Sequence, residues 1–370
     1  MKFSCTQENF AQALNLIARV ASKNTNLPIL QNVLLEAKDT GISLAATNLE
    51  IGVRVQVRGR VDVPGSFTVP AALLSNYIAL LPSERIDCEL VGTELKLQTT
   101  DHISRIKGEA AAEFPILPAV EKTSCLTIDR VVLVEALQQV SVAAAIDESR
   151  PEIAGVYIYT QDKKLVLAAT DSYRLAERSI VLPQATAGLF SCILPQRSAV
   201  ELLRLLQNST TVEQVELCVT ETQLACLSAE VEFVSRLVQG HFPDYEQIIP
   251  QSGRTTVTAH RQDLIKAVKG TALFSKTGVN DIEVTIAPEH QQITLCATNA
   301  QVGENTTVVA ADISGETVAV VLNYRFMLDG LQHGKGDKVT LLINDRNSPG
   351  VFRSTDPDDS YVYIIMPIKQ

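Results

Sequence analysis

The sequence has no tryptophan, and aromatic residues make up only 5% of its 370 positions. No apolar run in it approaches the roughly 18 residues that a membrane-spanning helix requires. Residues 1–6 alternate between polar and apolar side chains like a strand, and they lack the apolar core of a signal peptide. These absences exclude a helical membrane protein and predict a cytoplasmic protein with no membrane partner.

Metal-binding and disulfide patterns are missing too. The seven cysteines are scattered, none forms a CxxC pair, and most have apolar neighbours. The five histidines are equally dispersed, without the short spacings of zinc ligands. The cysteines are therefore predicted to be reduced core residues, with neither a disulfide nor a metal site among them. They are Cys5, Cys88, Cys125, Cys192, Cys218, Cys226 and Cys296.

Catalytic signatures are absent as well. The sequence contains no HExxH, no GxSxG and no EF-hand loop. Residues 330–335 resemble a phosphate-binding loop that is one residue short and lacks the final Ser or Thr, so a helix end with a turn is the better interpretation. The acidic pairs at 147–148 and 358–359 stand in loop-like surroundings and are predicted to be solvated. We expect no enzyme activity and no cofactor.

The net charge of −10 bears weakly on nucleic-acid binding. Non-specific binding depends on Lys and Arg placed at phosphates, so an acidic chain is on average a poor candidate. Net charge is a whole-molecule average, however, and a locally basic surface can exist on an acidic protein.

What the sequence does contain is an internal repeat. The phrase L-x-A-T-[N/D] begins at Leu44 and recurs 123 and then 128 residues later, at Leu167 and Leu295. Two more phrases keep the same order: one opens an apolar periodic stretch at 69–74, 194–199 and 322–327, and one closes each unit at 114–115, 242–243 and 366–367. Repetition at a nearly fixed period is typical of tandem structural modules. The sequence therefore predicts three modules, at 1–121, 122–250 and 251–370.

Each module is predicted to hold two helices and several antiparallel strands, an α+β architecture. In residues 6–23 apolar side chains recur on one helical face from Phe10 onward, and Thr6 is a suitable N-cap. Asp129 is the corresponding cap in the second module. Short alternating runs rich in Val, Ile and Thr, such as Ile51–Val57, predict strands. The second helix of the first module is predicted to bury Leu73, Leu74, Tyr77, Leu80 and Leu81.

Several phrases resemble a known family. Residues 27–30 (Leu-Pro-Ile-Leu), 169–175 (Ala-Thr-Asp-Ser-Tyr-Arg-Leu), 242–245 (Phe-Pro-Asp-Tyr) and 366–367 (Met-Pro) are similar to the bacterial DNA polymerase III β subunit, the sliding clamp. The resemblance runs along the whole chain. It implies two chains paired head to tail into a ring of six modules, with strands on the outer rim and helices lining a hole for duplex DNA.

The resemblance also implies what such a ring does. A DNA sliding clamp encircles double-stranded DNA without reading its sequence and tethers the replicative polymerase for processive synthesis. The partners implied are a second copy of the chain, double-stranded DNA, a clamp loader, the replicative polymerase and other proteins that carry a clamp-binding motif.

A hole around DNA needs polar and partly basic helix faces, because phosphates are its only uniform feature. The residues expected to face DNA are Arg19, Lys23, Asn24, Arg150, Arg197, Arg204, Lys266, Lys269 and Arg325. The alternative for each is an ordinary solvated helix face. The second module also departs from a basic lining, since Glu135 and Gln138 stand at the corresponding helix positions.

The family has a second function, a cleft between the second and third modules in which polymerases and the loader dock short apolar motifs. The matching positions are Ile153, Thr170, Ser172, Tyr173, Arg174, Leu175, Pro243, Gln247, Ile248, Pro349, Ile364, Ile365, Met366, Pro367 and Ile368. Apolar side chains from distant stretches would form the groove, and Thr170 and Arg174 are expected to satisfy polar groups of a bound peptide. The alternative is that Ile153, Leu175 and Ile364 are core residues.

For ring closure, the resemblance implies that an edge strand of the first module meets an edge of the third. The matching residues are Arg105, Ile106 and Lys107 in the first module and Leu273 and Phe274 in the third. An apolar contact flanked by charges suits an interface that a loader must open.

Two other readings stay open at this point. One is a protein-interaction scaffold of the same fold that does not encircle DNA, and the other is a metabolic enzyme with an unrecognised site. A stable ring wide enough for DNA would separate the clamp from both.

Overall fold

The computed structural model describes residues 1–21, 27–117, 122–183, 190–209, 211–250, 252–276 and 278–369. None of the helices in these ranges is both long and apolar enough to cross a membrane. The elements follow one order three times along the chain: a strand, a helix, a group of strands, a second helix and three closing strands. The predicted α+β architecture, with two helices in each repeat, is confirmed.

The bounds of the elements make the repetition visible. The first repeat has β1 (Lys2–Thr6), α1 (Gln7–Ile17), β2 (Asn32–Lys38), β3 (Gly41–Thr47), β4 (Ile51–Val57), β5 (Gly59–Val63), β6 (Gly65–Pro70), α2 (Ala71–Leu80), β7 (Arg85–Val91), β8 (Glu94–Gln98) and β9 (Ile103–Lys107). The second has β10 (Ser124–Asp129), α3 (Arg130–Val140), β11 (Gly155–Gln161), β12 (Lys164–Thr170), β13 (Arg174–Val181), β14 (Ser191–Pro195), α4 (Gln196–Asn208), β15 (Gln214–Val219), β16 (Gln223–Leu227) and β17 (Val231–Arg236). The third has β18 (Thr255–His260), α5 (Arg261–Ala272), β19 (Asp281–Ala287), β20 (Gln292–Asn299), β21 (Gly303–Ser314), β22 (Val318–Asn323), α6 (Tyr324–His333), β23 (Lys338–Ile343), β24 (Gly350–Ser354) and β25 (Val362–Ile365).

The chain divides into two compact units, and their limits differ from those of the repeats. The first unit comprises Met1–Val131 and Glu201–Leu237, and the second comprises Val132–Val200 and Val238–Gln370. In the first unit β4 pairs with β17, so one sheet joins strands of the first and second repeats. In the second unit β13 pairs with β25 and joins the second repeat to the third. Both junctions are antiparallel ladders, so the main chain itself fuses neighbouring repeats.

The first unit contains two sheets, with strand orders β5-β1-β7-β8-β9 and β10-β15-β16-β17-β4-β3-β2-β6. The second unit contains one sheet, in the order β14-β11-β12-β13-β25-β24-β23-β18-β21-β20-β19-β22. Helices α1, α2, α5 and α6 pack against strands and bury apolar residues there.

Helix α1 follows the predicted pattern at its start and departs from it at its end. The hydroxyl of Thr6 accepts a hydrogen bond from the amide of Asn9, which confirms the cap, and Phe10 is fully buried. The helix ends at Ile17, although the periodicity predicted that it would continue to residue 23. The side chain of Arg204 donates hydrogen bonds to two carbonyl oxygens in the last turn. In a longer helix these oxygens would accept hydrogen bonds from the amides of the next turn.

The predicted face of α2 is wrong in part. Leu73 and Leu80 are 54% and 83% exposed, whereas Ala71, Leu74 and Ile78 are buried. The helix is apolar on most sides, so its sequence gives little contrast between a buried and an exposed face.

Residues 330–335 form the end of α6 and the turn beyond it, as the sequence predicted. Glycine is required within that last turn for packing. A side-chain carbon at Gly330 would lie 2.4 Å from a ring carbon of Tyr363.

The cysteine prediction is corrected at one pair. Cys125 and Cys218 are joined by a disulfide, whereas Cys5, Cys88, Cys192, Cys226 and Cys296 are free. The two bonded residues lie directly opposite each other on β10 and β15, with their Cα atoms 4.1 Å apart. Opposed residues at that spacing hold their side chains close together. The pairing depends on register between strands 93 residues apart, which no local spacing of cysteines encodes.

The interpretation of residues 358–359 as a solvated acidic pair is also wrong for its second member. The side chain of Asp359 has no exposed surface and forms an ion pair with Arg178, whose side chain is 7% exposed. The same carboxylate accepts hydrogen bonds from the amide side chain of Gln139 at 3.2 Å and from the backbone N–H of Lys335 at 3.0 Å. Four distant stretches of the second unit therefore meet on one buried carboxylate.

Replacing Asp359 by alanine is expected to lower the free energy of unfolding by about 3–5 kcal/mol, because Arg178 would remain as a buried charge without its partner. Urea unfolding followed by circular dichroism measures the change. Asp358→Ala is the matched control, since that neighbouring residue is exposed, and it should cost less than about 0.5 kcal/mol. Equal losses in the two variants would contradict a central role for Asp359.

Candidate binding surfaces

Strand pairing in the second unit brings six of the predicted cleft residues together, those at 173–175 and 364–366. Leu175 lies opposite Ile364, and Arg174 lies opposite Ile365. The ladder continues by one hydrogen bond from the backbone N–H of Met366 to the carbonyl oxygen of Tyr173, at 2.8 Å. Two stretches about 190 residues apart in the sequence thus form one surface.

The turn at 170–174 fixes the direction of Tyr173. Its backbone is held from within: the Thr170 hydroxyl donates to the carbonyl of Arg174 at 2.6 Å, and the Asp171 carboxylate accepts the amides of Tyr173 and Arg174 at 2.9 and 3.0 Å. Ser172 adopts a φ of 78°, a left-handed conformation that few residues other than glycine adopt. This tight turn leaves Tyr173 67% exposed.

Burial separates the predicted cleft residues into a floor and an exposed surface. The buried ones are Ile153, Leu175, Ile364 and Ile365, none more than 3% exposed. Tyr173, Ile248 and Met366 are exposed to 67%, 51% and 37%, and large apolar side chains with this exposure are candidates for contact with a partner. Ser172, Pro243 and Gln247 are also exposed, and Thr170, Arg174, Pro349, Pro367 and Ile368 are half-buried.

Arg174 is not free to meet a peptide, contrary to the expectation. Its guanidinium donates to Asp171 at 2.9 Å, forms a second ion pair with Asp329, and lies 4.4 Å from the ring centroid of Phe326. The side chain is 11% exposed. The Thr170 hydroxyl is engaged within the turn as well. Both residues therefore shape the surface: Arg174 fixes the turn at 170–174 against α6.

An aromatic layer that the sequence reasoning missed lies next to this floor. Tyr157 stacks on Phe242 and on Tyr159, with ring centroids 4.9 and 4.7 Å apart. Tyr245 packs with Leu175 in one buried cluster, and its hydroxyl lies 3.0 Å from that of Tyr159. The local signals for the layer were two tyrosines at alternate positions of β11 and the aromatic residues of the phrase at 242–245.

A half-buried carboxyl group, that of Glu177, belongs to this layer. Burial, together with the nearby charge of Glu246, raises the pKa of Glu177, while a hydrogen bond with Tyr245 opposes the rise. Burial likewise raises the pKa of Tyr245. The layer is therefore a shared hydrogen-bond network beneath an apolar surface.

Most of the predicted DNA-facing residues are exposed cations, as a phosphate-binding surface requires. In the described residues these are Arg19 in the first unit and Arg150, Arg197, Lys266, Lys269 and Arg325 in the second. Lys23 and Asn24 lie outside the described residues. Arg150 donates to the hydroxyl of Ser172 at 2.9 Å, and Arg197 lies 3.3 Å from a carboxylate oxygen of Glu148. Exposed contacts of this kind are weak and can be exchanged for phosphate contacts.

Arg204 is the exception. Its side chain is 17% exposed, and its guanidinium donates to both carboxylate oxygens of Glu201 at 3.1 Å. It also donates to the carbonyl oxygens of Asn15, at 3.2 Å, and Leu16 at the end of α1. These contacts complete a helix terminus, so we remove Arg204 from the set of DNA-facing residues.

The five-stranded sheet of the first unit ends in β9, which pairs only with β8 among the described strands. Arg105 and Lys107 point outward, whereas Ile106 is 6% exposed and faces the unit's own core. The exposed apolar residue on this edge is Ile103, at 64%. Ile106 can therefore contribute to an interface through its backbone, while Ile103 offers the apolar side chain.

A second open edge lies in the second unit. Residues 303–310 of β21 pair with β20 on one side, and only residues 311–314 pair with β18 on the other. Beside this open edge Leu273 is 75% exposed, and Val302 and Val308 are 61% and 54% exposed. Phe274 is half-buried there, and Glu304 is exposed. An open strand edge with apolar neighbours is a template for pairing with another chain.

One group of metal-type side chains lies close together in the described residues. Cys125, Glu216 and Cys218 hold their ligand atoms within 4.8 Å of one another. In this state the two sulfur atoms are bonded to each other, and Glu216 pairs with Lys122 at 2.5 Å.

Comparisons with known proteins cover the whole chain. Models of the N-terminal, central and C-terminal domains of the DNA polymerase III beta subunit match residues 1–118, 127–244 and 246–369. The beta sliding clamp of Synechococcus elongatus is 29% identical over 374 residues, spanning 100% of this chain and 99% of that one. The solved structure of the DNA polymerase III subunit beta from Pseudomonas aeruginosa is 27% identical, with a TM-score of 0.93 and full coverage of both chains. Another structure of the Pseudomonas aeruginosa clamp, bound to griselimycin, is 26% identical, with the same TM-score and coverage.

Arg197→Ala and Arg204→Ala are expected to separate two roles of arginine. Arg204→Ala should lower the free energy of unfolding by about 1–3 kcal/mol, because carbonyl groups at the end of α1 and the Glu201 carboxylate lose their donor. Arg197→Ala should change it by less than about 0.5 kcal/mol, because that side chain is 77% exposed. Thermal and urea unfolding measure both. A stable Arg204→Ala variant would return Arg204 to the DNA-facing set.

Proposed function

The chain belongs to the family of DNA polymerase III beta subunits, the beta sliding clamps, and on that basis we propose that two copies close head to tail into a ring that encircles duplex DNA. The ring would contain six modules, with the repeats at 1–121, 122–250 and 251–370. It tethers the replicative polymerase and other partners to the duplex. The observation that carries the proposal is the pair of open strand edges, one in the first repeat and one in the third.

These edges suit each other chemically. The β9 edge carries outward-facing Arg105 and Lys107 with exposed Ile103, and the β21 edge carries Glu304 beside exposed Leu273. A main-chain ladder between them would satisfy the open N–H and C=O groups of both strands. Because the two edges are different surfaces, the contact is heterologous, and two copies related by a two-fold axis would form it twice and close a ring.

DNA is held in this ring by topology. Exposed cations such as Arg19, Lys266 and Lys269 provide long-range attraction to phosphates. Phosphate contacts carry no sequence information, so the ring slides freely along the duplex. An overall charge of −10 further discourages DNA from binding elsewhere on the protein.

The role is mechanical. We propose that the protein catalyses no reaction, uses no cofactor and works in the cytoplasm, where DNA replication by such clamps takes place. A clamp loader opens one interface of the ring, and the apolar contact flanked by charges at each interface makes that opening reversible.

The exposed apolar surface formed by Tyr173, Ile248 and Met366 is the docking site for the partners. Short apolar motifs of the polymerase and the loader would cover these side chains while Leu175 and Ile364 form the rigid floor beneath. A methionine adapts to different partners because its side chain is unbranched and polarizable. A related clamp has been solved with griselimycin bound, which supports the presence of a ligand-binding surface in the family.

The ring is tested directly on a nicked circular plasmid. The protein is loaded by a competent clamp loader, separated from free protein by gel filtration, and then the plasmid is cut once. We expect it to remain with the circle and to leave the linear DNA within minutes, because only a closed ring is held by topology. Retention on linear DNA, or no retention with a loader of proven activity, would favour a scaffold that does not encircle DNA.

Leu273→Asp is expected to weaken ring closure by at least about 30-fold, because a carboxylate would be desolvated in the apolar part of the interface. Analytical ultracentrifugation measures the dimer dissociation constant. Val181→Asp is the matched control, since Val181 is 78% exposed on β13, and it should leave the constant unchanged. Equal weakening by both variants would argue against the β21 edge as the interface.

Tyr173→Ala and Met366→Ala are each expected to weaken binding of an apolar clamp-binding peptide by about 10- to 30-fold, since each removes a large exposed apolar side chain from the docking surface. Fluorescence anisotropy with a labelled peptide measures the affinity. Val181→Ala serves as the control, and the variants should still form rings. Unchanged affinity in both variants would show that the peptide binds to another part of the protein.

A further inference from the structure

The disulfide between Cys125 and Cys218 lies at a sheet edge of the first unit. Strand β10 is the outermost strand of its eight-stranded sheet, and β15 is its only ladder partner among the described strands. Six residue pairs join the two strands in unbroken register, and the cysteines form one of these pairs. The sulfur atoms are therefore held together by the ladder, whether or not they are bonded to each other.

We propose that Cys125 and Cys218 form a reversible thiol–disulfide couple, which is oxidised by low-molecular-weight disulfides such as glutathione disulfide. The proposal rests on the cytoplasmic location given under the proposed function. Disulfides are rare in that reducing compartment, and those that occur there are mostly transient and redox-sensing. Nothing in the ring or in the docking surface uses this pair.

The two sulfur atoms differ in access, and this fixes the order of the reaction. Cys125 is half-buried on the edge strand, whereas Cys218 is 2% exposed. The Cys125 thiolate attacks one sulfur of the incoming disulfide, forms a mixed disulfide and releases one small thiolate. The Cys218 thiolate then attacks the Cys125 sulfur and releases the second. Each small thiolate takes up a proton, so two protein thiols are oxidised and one glutathione disulfide is reduced to two glutathiones.

The remaining free cysteines are poorly placed for such chemistry. Burial raises the pKa of Cys192 and Cys226 to about 12, so few of their thiols ionise near neutral pH. Cys5 and Cys88 are also buried. Cys296 is half-buried, but no second cysteine pairs with it in the described strands. Only the pair on β10 and β15 combines partial access with a neighbouring thiol.

The bond also has a defined mechanical effect. The cysteines belong to a small cluster with Ala225, Val234 and Leu227 on one face of the sheet. Bonding them pins the edge strand that opens the second repeat and links two residues 93 positions apart in the chain. Cross-linking across a long loop removes conformational freedom from the unfolded chain. The oxidised form should therefore resist opening of β10. The reduced form keeps the same ladder, but its β10 amides should exchange with solvent faster.

The test uses the purified full-length protein in glutathione buffers of varied composition at neutral pH. Intact-mass measurement after acid quenching and alkylation of the unfolded protein should show one reversible transition, in which the oxidised form carries two fewer alkyl groups than the reduced form. Cys218→Ser should instead stop at a mixed disulfide with one glutathione on Cys125. Cys125→Ser should bind much less glutathione, because the remaining Cys218 is buried. Cys296→Ser is the matched control and should behave as the unmodified chain. A pair that stays reduced at every buffer ratio, or a bond that folded protein never releases, overturns the proposal.

A second readout separates this proposal from the ring. The oxidised protein should melt at least about 5 °C above the reduced protein, and amide exchange in residues 124–129 should quicken on reduction. Cys125→Ser should abolish both differences. Identical melting and exchange of the two forms overturns the mechanical effect. None of these measurements involves DNA, so a failure of the plasmid experiment would leave their outcome intact.

Discussion

Main-chain pairing across the repeat boundaries is the constraint on which the other features depend. A strand whose N–H and C=O groups are unpaired is costly to bury and prone to associate, so each repeat gains by sharing a ladder with the next. The β4–β17 and β13–β25 ladders do this at the two junctions within the chain. A linear series of three repeats then has an edge left over at each end of the series, at β9 and at residues 303–310 of β21. Closing the series on a second copy is the same physical solution, applied between chains.

The second junction is reinforced by ion pairs that the sequence does not reveal. Arg178 and Asp359 meet in the interior, and Arg174 joins Asp171 to Asp329. Buried charges of this kind cost desolvation energy and repay it only when geometry and hydrogen bonds are complete. Here they hold the ladder between β13 and β25 in one arrangement. The surface that we propose for docking lies on that ladder, so its exposed Tyr173 and Met366 stand on a rigid support.

The residues that we propose to face DNA differ from these buried ion pairs, because their contacts are exposed and weak. Arg150 and Arg197 make only exposed contacts with neighbouring side chains, and these exchange readily with phosphate. Arg204 shows the contrast, because the same type of side chain becomes a structural donor when its surroundings remove it from water. A clamp needs both kinds of arginine: fixed ones that hold helices and strands in place, and loosely held ones that let DNA pass.

The sequence by itself determined the three repeats, their α+β composition and the family, because a repeated phrase and a capped apolar period such as Thr6 with Phe10 are local signals. Motifs such as the one at 169–175 also predicted a cleft, and the role of its residues in binding stays a prediction. Tertiary structure decided which of those residues are floor and which are exposed, since Ile364 and Tyr245 pack with Leu175, whereas the turn at 170–174 leaves Tyr173 exposed. It alone decided the disulfide, the burial of Asp359, the inward direction of Ile106 and the capping role of Arg204. Each of these depends on register or contact between stretches far apart in the chain, and no local pattern carries that information.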